Sequence, residues 1–208
     1  MCTPRGGVTE RNFSAMIRDT QISLLMGAVA LGLLLGALGF QYLGHLAACE
    51  MCHWQRWPHI AAAIIGLGVV PFWKGDKPPL IVTTIVLTAV IGMTLQHQWP
   101  RWPFALALIA LLVLVTFWKK DRPVAVVLML VALSGLIGAY QYGMQLGFLP
   151  GPEACTGARY VIGSNAPPPE VSCNAITWSL FGLSLAAFNA IISLGAAAVG
   201  TIALLRKA

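Results

Sequence analysis

The sequence predicts an all-α integral membrane protein with six transmembrane helices, and three observations support that class. First, 58% of the 208 residues are hydrophobic and only 10% are charged, whereas soluble domains average about 45–50% apolar and about 25% charged residues. Second, apolar runs that approach or exceed the roughly 20 residues of a bilayer-spanning helix recur along the chain. Third, tryptophans and basic residues fall at the ends of these runs, as interfacial anchors do.

Six apolar runs define the predicted spans in chain order. They cover approximately residues 22–48, 57–73, 80–96, 104–118, 124–146 and 178–205. Residues 1–20 form a polar N-terminal segment, and residues 147–177 form a Pro-rich loop that we expect to be mostly irregular. The whole chain, residues 1–208, is therefore predicted to be one membrane domain. This organisation excludes an ordinary soluble enzyme and a nucleic-acid binder built on the net charge of +6.

Basic residues are divided unequally between the two sides of the predicted membrane domain. Ten Lys and Arg residues lie on the side of the two termini, and only Arg56, Arg101 and Arg159 lie on the other side. Because positive residues are enriched in cytoplasmic loops, both termini are predicted to be cytoplasmic. The net charge is then an orientation signal, and the 147–177 loop lies outside the cytoplasm.

The sequence contains an internal repeat with an offset of 45 residues. Residues 54–78 recur as 99–123, with identity at 13 of the 25 aligned positions, including matched Trp, Arg, Pro and Asp. Shared apolar composition does not explain such matches, so we infer that a helical hairpin was duplicated. The two predicted hairpins are residues 54–98 and 99–143. A hairpin returns to the side that it left, so its insertion preserves the topology.

Four of the five cysteines fall on the non-cytoplasmic side, where disulfides persist. Cys49 and Cys52 form a CxxC pair, a spacing that exchanges readily between dithiol and disulfide. Cys155 and Cys173 bracket the Pro-rich loop and could close it as a second disulfide. The remaining cysteine, Cys2, is expected to be an ordinary reduced thiol of the N-terminal segment.

The 49–56 segment has the features of a reactive thiol site. Cys52 is predicted to lie near the start of the second helix, where the helix dipole favours an anion. Arg56 follows one helical turn later. Both features lower the pKa of a thiol and favour the reactive thiolate.

Three other interpretations of the cysteines stay open at this point. Both pairs could be structural staples, although a CxxC bridge closes too small a loop to add much stability. Cys49 to His53 also matches the CxxCH pattern of c-type haem attachment. A zinc site that uses both cysteine pairs is the third possibility.

Taken together, the motifs resemble the DsbB family of membrane disulfide oxidases. The matching residues are Cys49-Glu50-Met51-Cys52 with Gln55-Arg56-Trp57-Pro58, then Gly147-Phe148-Leu149-Pro150-Gly151-Pro152 before Cys155-Thr156-Gly157, then Cys173 before Trp178, and finally Phe181-Gly182-Leu183-Ser184-Leu185-Ala186 up to Asn189. The resemblance covers about residues 20–73 and 124–205. It implies a four-helix bundle core, here with one extra transmembrane hairpin, in the inner membrane of a bacterium with the redox sites facing the periplasm.

The resemblance also implies a thiol relay. A periplasmic thioredoxin-like partner of the DsbA type is reoxidised by the Cys155–Cys173 pair, and the electrons pass through Cys49 and Cys52 to a membrane quinone, with ubiquinone favoured over menaquinone. Catalytic roles fall on Cys49, Cys52, Cys155 and Cys173. Quinone-binding roles fall on Arg56 and Cys52, with Gln141 as a further candidate at the position where the family often has a histidine. His53 is added for its proximity to the cysteine pair alone. No metal is implied.

The sequence departs from the family pattern in two places. Six spans are predicted where the family has four, and Gln141 stands where the family often has a histidine, which puts one quinone contact in doubt. The second copy of the repeat has Thr94 and His97 where the first has its cysteine pair. We therefore expect the second copy to be redox-inert and Arg101 to be an interfacial anchor. The first, second, fifth and sixth helices are expected to form the catalytic bundle.

Two other functions compete with this interpretation. An enzyme of the vitamin K epoxide reductase type also pairs a CxxC motif with quinone, but its active pair lies near a late helix rather than after the first. A non-enzymatic membrane scaffold subunit would carry the same cysteines as stapling disulfides. Quinone-dependent turnover separates the enzyme from the scaffold.

Overall fold

The computed structural model describes residues 6–72, 122–151 and 172–206, together with Thr84 and Thr88. Apart from those two threonines, the predicted spans 80–96 and 104–118 lie outside the described residues. The second copy of the CxxC-region motif and Cys155 lie outside them as well.

Helices make up most of the described chain. They are α1 (Gly6–Tyr42), α2 (Glu50–Ala63), α3 (Arg122–Gln145) and α4 (Leu185–Leu205), and α2 continues directly into a π-helix at Ile64–Val69. Three stretches are long and apolar enough to cross a membrane, namely Ile17–Tyr42, Pro123–Gln145 and Leu185–Leu205. The chain is therefore a mostly helical membrane protein.

The predicted start of the last span is wrong, because a turn interrupts the apolar run. The last helix begins at Leu185 rather than at Trp178, with Ser184 as its N-cap. The preceding residues form a short hairpin of β1 (Ser179–Leu180) and β2 (Leu183–Ser184). Its turn residues Phe181 and Gly182 have positive φ angles of 53° and 78°, the backbone geometry of a tight two-residue hairpin turn.

The junction between the first two helices also differs from the prediction. The apolar run suggested a first span that reaches Ala48, but α1 ends at Tyr42. Helix α2 then begins at Glu50, seven residues before the predicted start at Trp57. Residues 43–48 form an irregular connection that begins with a turn on the end of α1 and leads into Cys49, so the cysteine pair lies at the beginning of α2.

The helices pack around two buried clusters. Helix α3 makes its largest contacts with α4 and α2, and α1 contacts α2, α3, α4 and the π-helix. The first cluster, called here the apolar cluster, consists of Ile22, Met26, Ala30, Ala61, Ala62, Ala63, Ile65, Val70, Val124, Val126, Val127, Leu128, Leu130, Val131 and Ala197. The second, the cysteine cluster, consists of Cys49, Met51, Met144 and Cys173.

Small residues allow the helix backbones to approach one another closely. A Cβ atom on Gly66 of the π-helix would lie 2.8 Å from the Ser23 carbonyl oxygen of α1. A Cβ atom on Gly138 of α3 would lie 2.9 Å from the Ala186 carbonyl oxygen of α4. Both positions therefore require glycine, as is typical of helix contacts inside a membrane.

Pro58 lies inside α2 and removes one backbone hydrogen-bond donor. The Ser134 hydroxyl of α3 donates a hydrogen bond to the carbonyl oxygen of Gln55 at 2.9 Å. Side-chain hydroxyls of this kind satisfy backbone groups near a proline in membrane helices. This bond ties α3 to the turn of α2 that carries the polar residues of the site.

Candidate redox site

The cysteine pair is built around the first turn of α2. Cys49 is the N-cap residue, and its sulfur accepts a hydrogen bond from the backbone N–H of Cys52 at 3.3 Å. Cys49 is buried, Cys52 is half-buried, and both are free thiols. The structure thus confirms the predicted position of Cys52 near a helix start, where the unpaired N–H groups favour a negative sulfur.

Cys173 lies in the same buried cluster as Cys49 and is 1% exposed. It is disulfide-bonded, and its partner lies outside the described residues. The carbonyl oxygen of Cys173 accepts a hydrogen bond from the Gln141 amide nitrogen at 3.4 Å. The last residues of the 147–177 loop are therefore fastened beside the CxxC pair.

Gln141 of α3 connects the two cysteine segments. Besides the Cys173 carbonyl, its Nε2 group donates to the Cys49 sulfur at 3.1 Å and reaches the Cys52 sulfur at 3.6 Å. The side chain is only 2% exposed. An amide donor held against two sulfurs in a buried site stabilises a thiolate over a thiol.

A chain of buried amides extends from Gln141 into the interior. Gln55 Nε2 donates to the Gln141 Oε1 atom, and Asn189 Nδ2 donates to Gln55 Oε1 at 2.7 Å. Ser193 Oγ in turn donates to Asn189 Oδ1 at 2.9 Å. Every donor in this chain points toward the sulfurs. Hydrogen bonds aligned in one direction polarise one another in a low-dielectric interior, so the chain favours negative charge at its cysteine end.

Hydrogen bonding between Cys49 and Cys52 shifts the pKa values of the two thiols in opposite directions, so that one is a thiolate while the other keeps its proton. The hydrogen bond from Cys49 lowers the pKa of Cys52 to about 6, with help from the Gln141 amide and the Arg56 charge, while burial opposes the shift. The same contact with Cys52, together with burial and charge repulsion, raises the pKa of Cys49 far above its ordinary value. Near neutral pH the pair therefore carries one proton, and Cys52 is the nucleophilic thiolate.

A cavity of about 310 Å³ lies against Cys52, between α1, α2 and α4. Its apolar wall includes Gly32, Leu33, Gly36, Phe40, Trp178 and Phe188. The rings of Phe40 and Trp178 lie 4.9 Å apart, and those of Trp178 and Phe188 lie 6.2 Å apart. A mostly apolar cleft with a few polar groups is the usual form of a small-molecule site. The wall suits a flat ring with an apolar tail.

The polar wall of the cavity comes chiefly from one face of α2. Cys52, Gln55, Arg56 and His59 all line it, at the spacing that places residues on one helical face. Arg56 Nη1 donates to the Gln41 side-chain oxygen of α1. Two nitrogens of these side chains, Arg56 Nε and His59 Nδ1, are buried and have no hydrogen-bond partner among the described residues.

The structure groups most, but not all, of the residues that the sequence singled out. Cys49, Cys52, Arg56, Gln141 and Cys173 lie together, and Cys155 lies outside the described residues. His53 is half-buried and is not among the described residues that line the cavity. Its assignment to quinone binding rested on proximity in sequence alone.

The sequence interpretation assigned no role in the site to several polar residues of the buried chain, although Gln55 and Asn189 belong to the matching motifs. Gln55, His59, Ser134, Asn189 and Ser193 are all buried in or next to apolar helices. A polar side chain inside a membrane-spanning run is costly unless it has partners, and this was the available signal. Within residues 6–72, 122–151 and 172–206, no group of three or more His, Cys, Asp or Glu residues is placed to hold a metal ion.

Comparison with known protein families gives one match. The family model "Disulfide bond formation protein DsbB" matches residues 19–100 and residues 98–203. The two segments meet at residues 98–100, where the second copy of the repeat begins, which is consistent with a duplicated region. No curated protein matches the chain. No solved structure matches it either.

Proposed function

This chain belongs to the DsbB family of membrane disulfide bond formation proteins, and from that premise we propose that it is a protein-dithiol:quinone oxidoreductase. It reoxidises a thioredoxin-like protein of the DsbA type at the periplasmic face of a bacterial inner membrane. Both termini are cytoplasmic. Helices α1, α2, α3 and α4, which correspond to the first, second, fifth and sixth predicted spans, form the catalytic four-helix bundle.

The first half of the relay is thiol–disulfide exchange at the loop pair. A thiolate of the reduced partner attacks Cys155 of the Cys155–Cys173 disulfide, forms a mixed disulfide, and releases Cys173 as a thiolate. The second partner thiol resolves the mixed disulfide. The partner leaves oxidised, and the two electrons remain on Cys155 and Cys173.

The second half transfers these electrons to the CxxC pair. Cys173 attacks Cys49 of a Cys49–Cys52 disulfide, and Cys52 is the leaving thiolate. The low pKa of Cys52 makes it a good leaving group. Cys155 then attacks Cys173, which restores the loop disulfide and leaves Cys49 and Cys52 reduced.

The residues around the cavity fit a quinone as the electron acceptor. Cys52, Arg56 and the aromatic wall would hold a quinone there, and it would supply the two-electron acceptor for formation of the Cys49–Cys52 disulfide. In this arrangement Cys52 lies at the cavity as the thiolate, the Arg56 residue provides positive charge beside it, and the aromatic wall would flank the ring. Without a compensating interaction, a partly buried Arg at a membrane edge is costly.

The observation that carries this proposal is the position of Gln141. Its amide nitrogen contacts the Cys49 sulfur and the Cys173 carbonyl and also lines the cavity. A single side chain thus brings Cys173 of the loop, the CxxC pair and the cavity to one point. A scaffold with stapling disulfides does not require this convergence.

The test is reconstitution of the purified chain with a quinone and a reduced thioredoxin-like substrate. We expect quinone-dependent oxidation of the substrate, and we expect Cys49→Ser and Cys155→Ser each to abolish it. Cys2→Ser is the matched control and should retain full activity. Unchanged oxidation in either of the first two variants would rule out the relay. Absence of any turnover would favour the scaffold, and turnover of an epoxide rather than a protein would favour the vitamin K epoxide reductase type.

A further inference from the structure

The Arg56 guanidinium is hydrogen-bonded to a neutral side chain of a different helix. Its Nη1 atom donates to Gln41 Oε1 at 2.5 Å. Gln41 lies in the last turn of α1, which ends at Tyr42, and Arg56 lies in the second turn of α2. Both side chains are half-buried, and both line the cavity beside Cys52. The relay described above assigns no role to Gln41.

The partner of Arg56 fixes which end of the Gln41 amide faces it. A guanidinium group only donates hydrogen bonds, so the Gln41 atom that faces Nη1 must be the carbonyl oxygen. The two residues are 15 positions apart in the sequence, and the contact therefore ties the end of α1 to α2 across the 43–48 connection.

An arginine at a membrane edge needs such a contact if its charge is to stay in one place. The side chain is long and flexible, and its charged head tends to extend toward water and the lipid headgroups. The interaction between a charge and a thiolate weakens as the distance between them grows. An acceptor on a neighbouring helix opposes this displacement, and Gln41 supplies that acceptor.

The acceptor is neutral, and this property matters for Cys52. The hydrogen bond from Cys49 is the main cause of the lowered pKa of Cys52, and the Gln141 amide and the positive charge of Arg56 add to the shift. A carboxylate at position 41 would also hold the guanidinium, but it would cancel the positive charge and repel the thiolate. The amide oxygen of Gln41 accepts the hydrogen bond without adding a negative charge.

From this contact we propose that Gln41 is a positioning residue, which holds the Arg56 guanidinium beside Cys52 without cancelling its positive charge. Gln41 acts through Arg56 and not on the sulfur itself. Its effect on turnover rests on the proposed function, whereas its effect on the Cys52 thiolate does not depend on any electron acceptor.

The test uses two substitutions of Gln41 in the full-length Cys2→Ser protein with the CxxC pair reduced. Gln41→Met removes the acceptor but keeps the side-chain length and a similar helix propensity. We expect it to raise the pH midpoint of Cys52 alkylation and to lower kcat/KM for a short-chain quinone about tenfold, the scale of one hydrogen bond to a charged group. Gln41→Glu keeps the acceptor but adds a negative charge, so it should raise the midpoint further than Gln41→Met does.

Two comparisons separate positioning from a merely structural role. Gln21→Met, at an exposed position of the same helix, is the matched control and should change neither quantity. In an Arg56→Met background, Gln41→Met should cause no further shift of the midpoint, because the group that it positions is gone.

An unchanged midpoint in Gln41→Met, or an equal rise with and without Arg56, would overturn the inference. A Gln41→Glu midpoint equal to that of the parent would also overturn it, because the neutrality of the acceptor would then be irrelevant. If the midpoints shift as expected but the parent oxidises no thiol substrate with quinone, the proposed function is wrong and the positioning role of Gln41 stands.

Discussion

The described helices have two different interiors. Around the apolar cluster, Ala, Val, Ile and Leu fill the space between helices, and glycines such as Gly66 and Gly200 admit close contact. Beside the cysteine cluster, the same helices bury Gln55, His59, Gln141 and Asn189 in a hydrogen-bonded chain. Because lipid tails are apolar, the hydrophobic effect contributes little to helix association in either region. The first region is stabilised by close packing of complementary side chains, whereas the second is stabilised by hydrogen bonds between buried polar groups.

Because of this difference, substitutions in the two regions should affect the stability of the fold and the reactivity of the thiols to different extents. A change of shape in the apolar cluster should weaken the fold and leave the thiols as they are. A change in the polar region should alter the thiol chemistry as well as the fold. The predictions below test this separation, beginning with the largest expected effect on activity.

Replacing Arg56 should cause the largest loss. Arg56→Met removes a cation that lowers the pKa of Cys52 and that belongs to the cavity lining. We expect quinone-dependent turnover to fall about 100-fold or more, the usual cost of losing one donor that stabilises developing negative charge. The measurement is kcat/KM for quinone. Arg206→Met, an exposed arginine at the end of α4, is the matched control, and an equal loss there would remove the special role of Arg56.

The thiolate of Cys52 predicts a defined pH dependence. Its pKa is lowered to about 6 from the ordinary 9.0, so its alkylation by iodoacetamide should be half-maximal near pH 6 and fall about tenfold per pH unit below that. Because the largest cause is the hydrogen bond from Cys49, Cys49→Ala should move the midpoint upward and slow the reaction at pH 7. A midpoint that stays near pH 6 in Cys49→Ala would contradict this cause. The Cys2→Ser change is made in both the parent protein and the Cys49→Ala variant, so that alkylation of Cys2 does not add to the signal.

Asn189→Leu tests the polar chain itself. It leaves Gln55 Oε1 without its donor and His59 Nε2 without one hydrogen-bond partner, and unsatisfied buried groups cost about 1–3 kcal/mol. We expect a free energy of unfolding in detergent that is lower by about this amount, and a raised midpoint for Cys52 alkylation. Turnover should fall less than tenfold, since no reacting atom is touched. Ser193→Ala, which removes one bond at the end of the chain, should have a smaller effect in all three assays.

The sequence predicted the features that depend on composition and spacing. The membrane class follows from apolar runs, and the cysteine pair at a helix start follows from Cys49 and Cys52 beside Arg56. The sequence did not predict that Phe181-Gly182 forms a turn inside an apolar run, because Phe rarely adopts a positive φ. The extra helices and their packing remain predictions, since they lie outside the described residues.

The polar chain was missed for a different reason. Gln55, His59, Ser134 and Asn189 come from three helices, and only their relative rotation in the folded protein brings them together. Each is an isolated polar residue in an apolar or mixed stretch of sequence. Burying a polar side chain in a membrane costs free energy unless it has hydrogen-bond partners, so partners are expected. The spacing of these residues in the sequence does not identify which residues the partners are.

Overpacking the apolar cluster should have the smallest effect on chemistry. In Gly200 of α4, an added Cβ atom would lie 2.5 Å from Leu128 Cδ2 of α3, and the sulfur of Met26 lies 3.4 Å away. Gly200→Val should therefore lower the free energy of unfolding by about 1–3 kcal/mol, as forced overpacking does. Gly200 makes no hydrogen bond with the cysteine pair or the polar chain in the described part of the protein. The pH midpoint of Cys52 alkylation should therefore stay unchanged, and the turnover of the folded fraction should stay within about twofold of the parent.

Gly195→Val, at a glycine of the same helix with nothing within 4 Å of an added Cβ, is the matched control. A shift in the Cys52 midpoint that appears in Gly200→Val and not in Gly195→Val would show that the two interiors are coupled through α3 and α4 rather than separable.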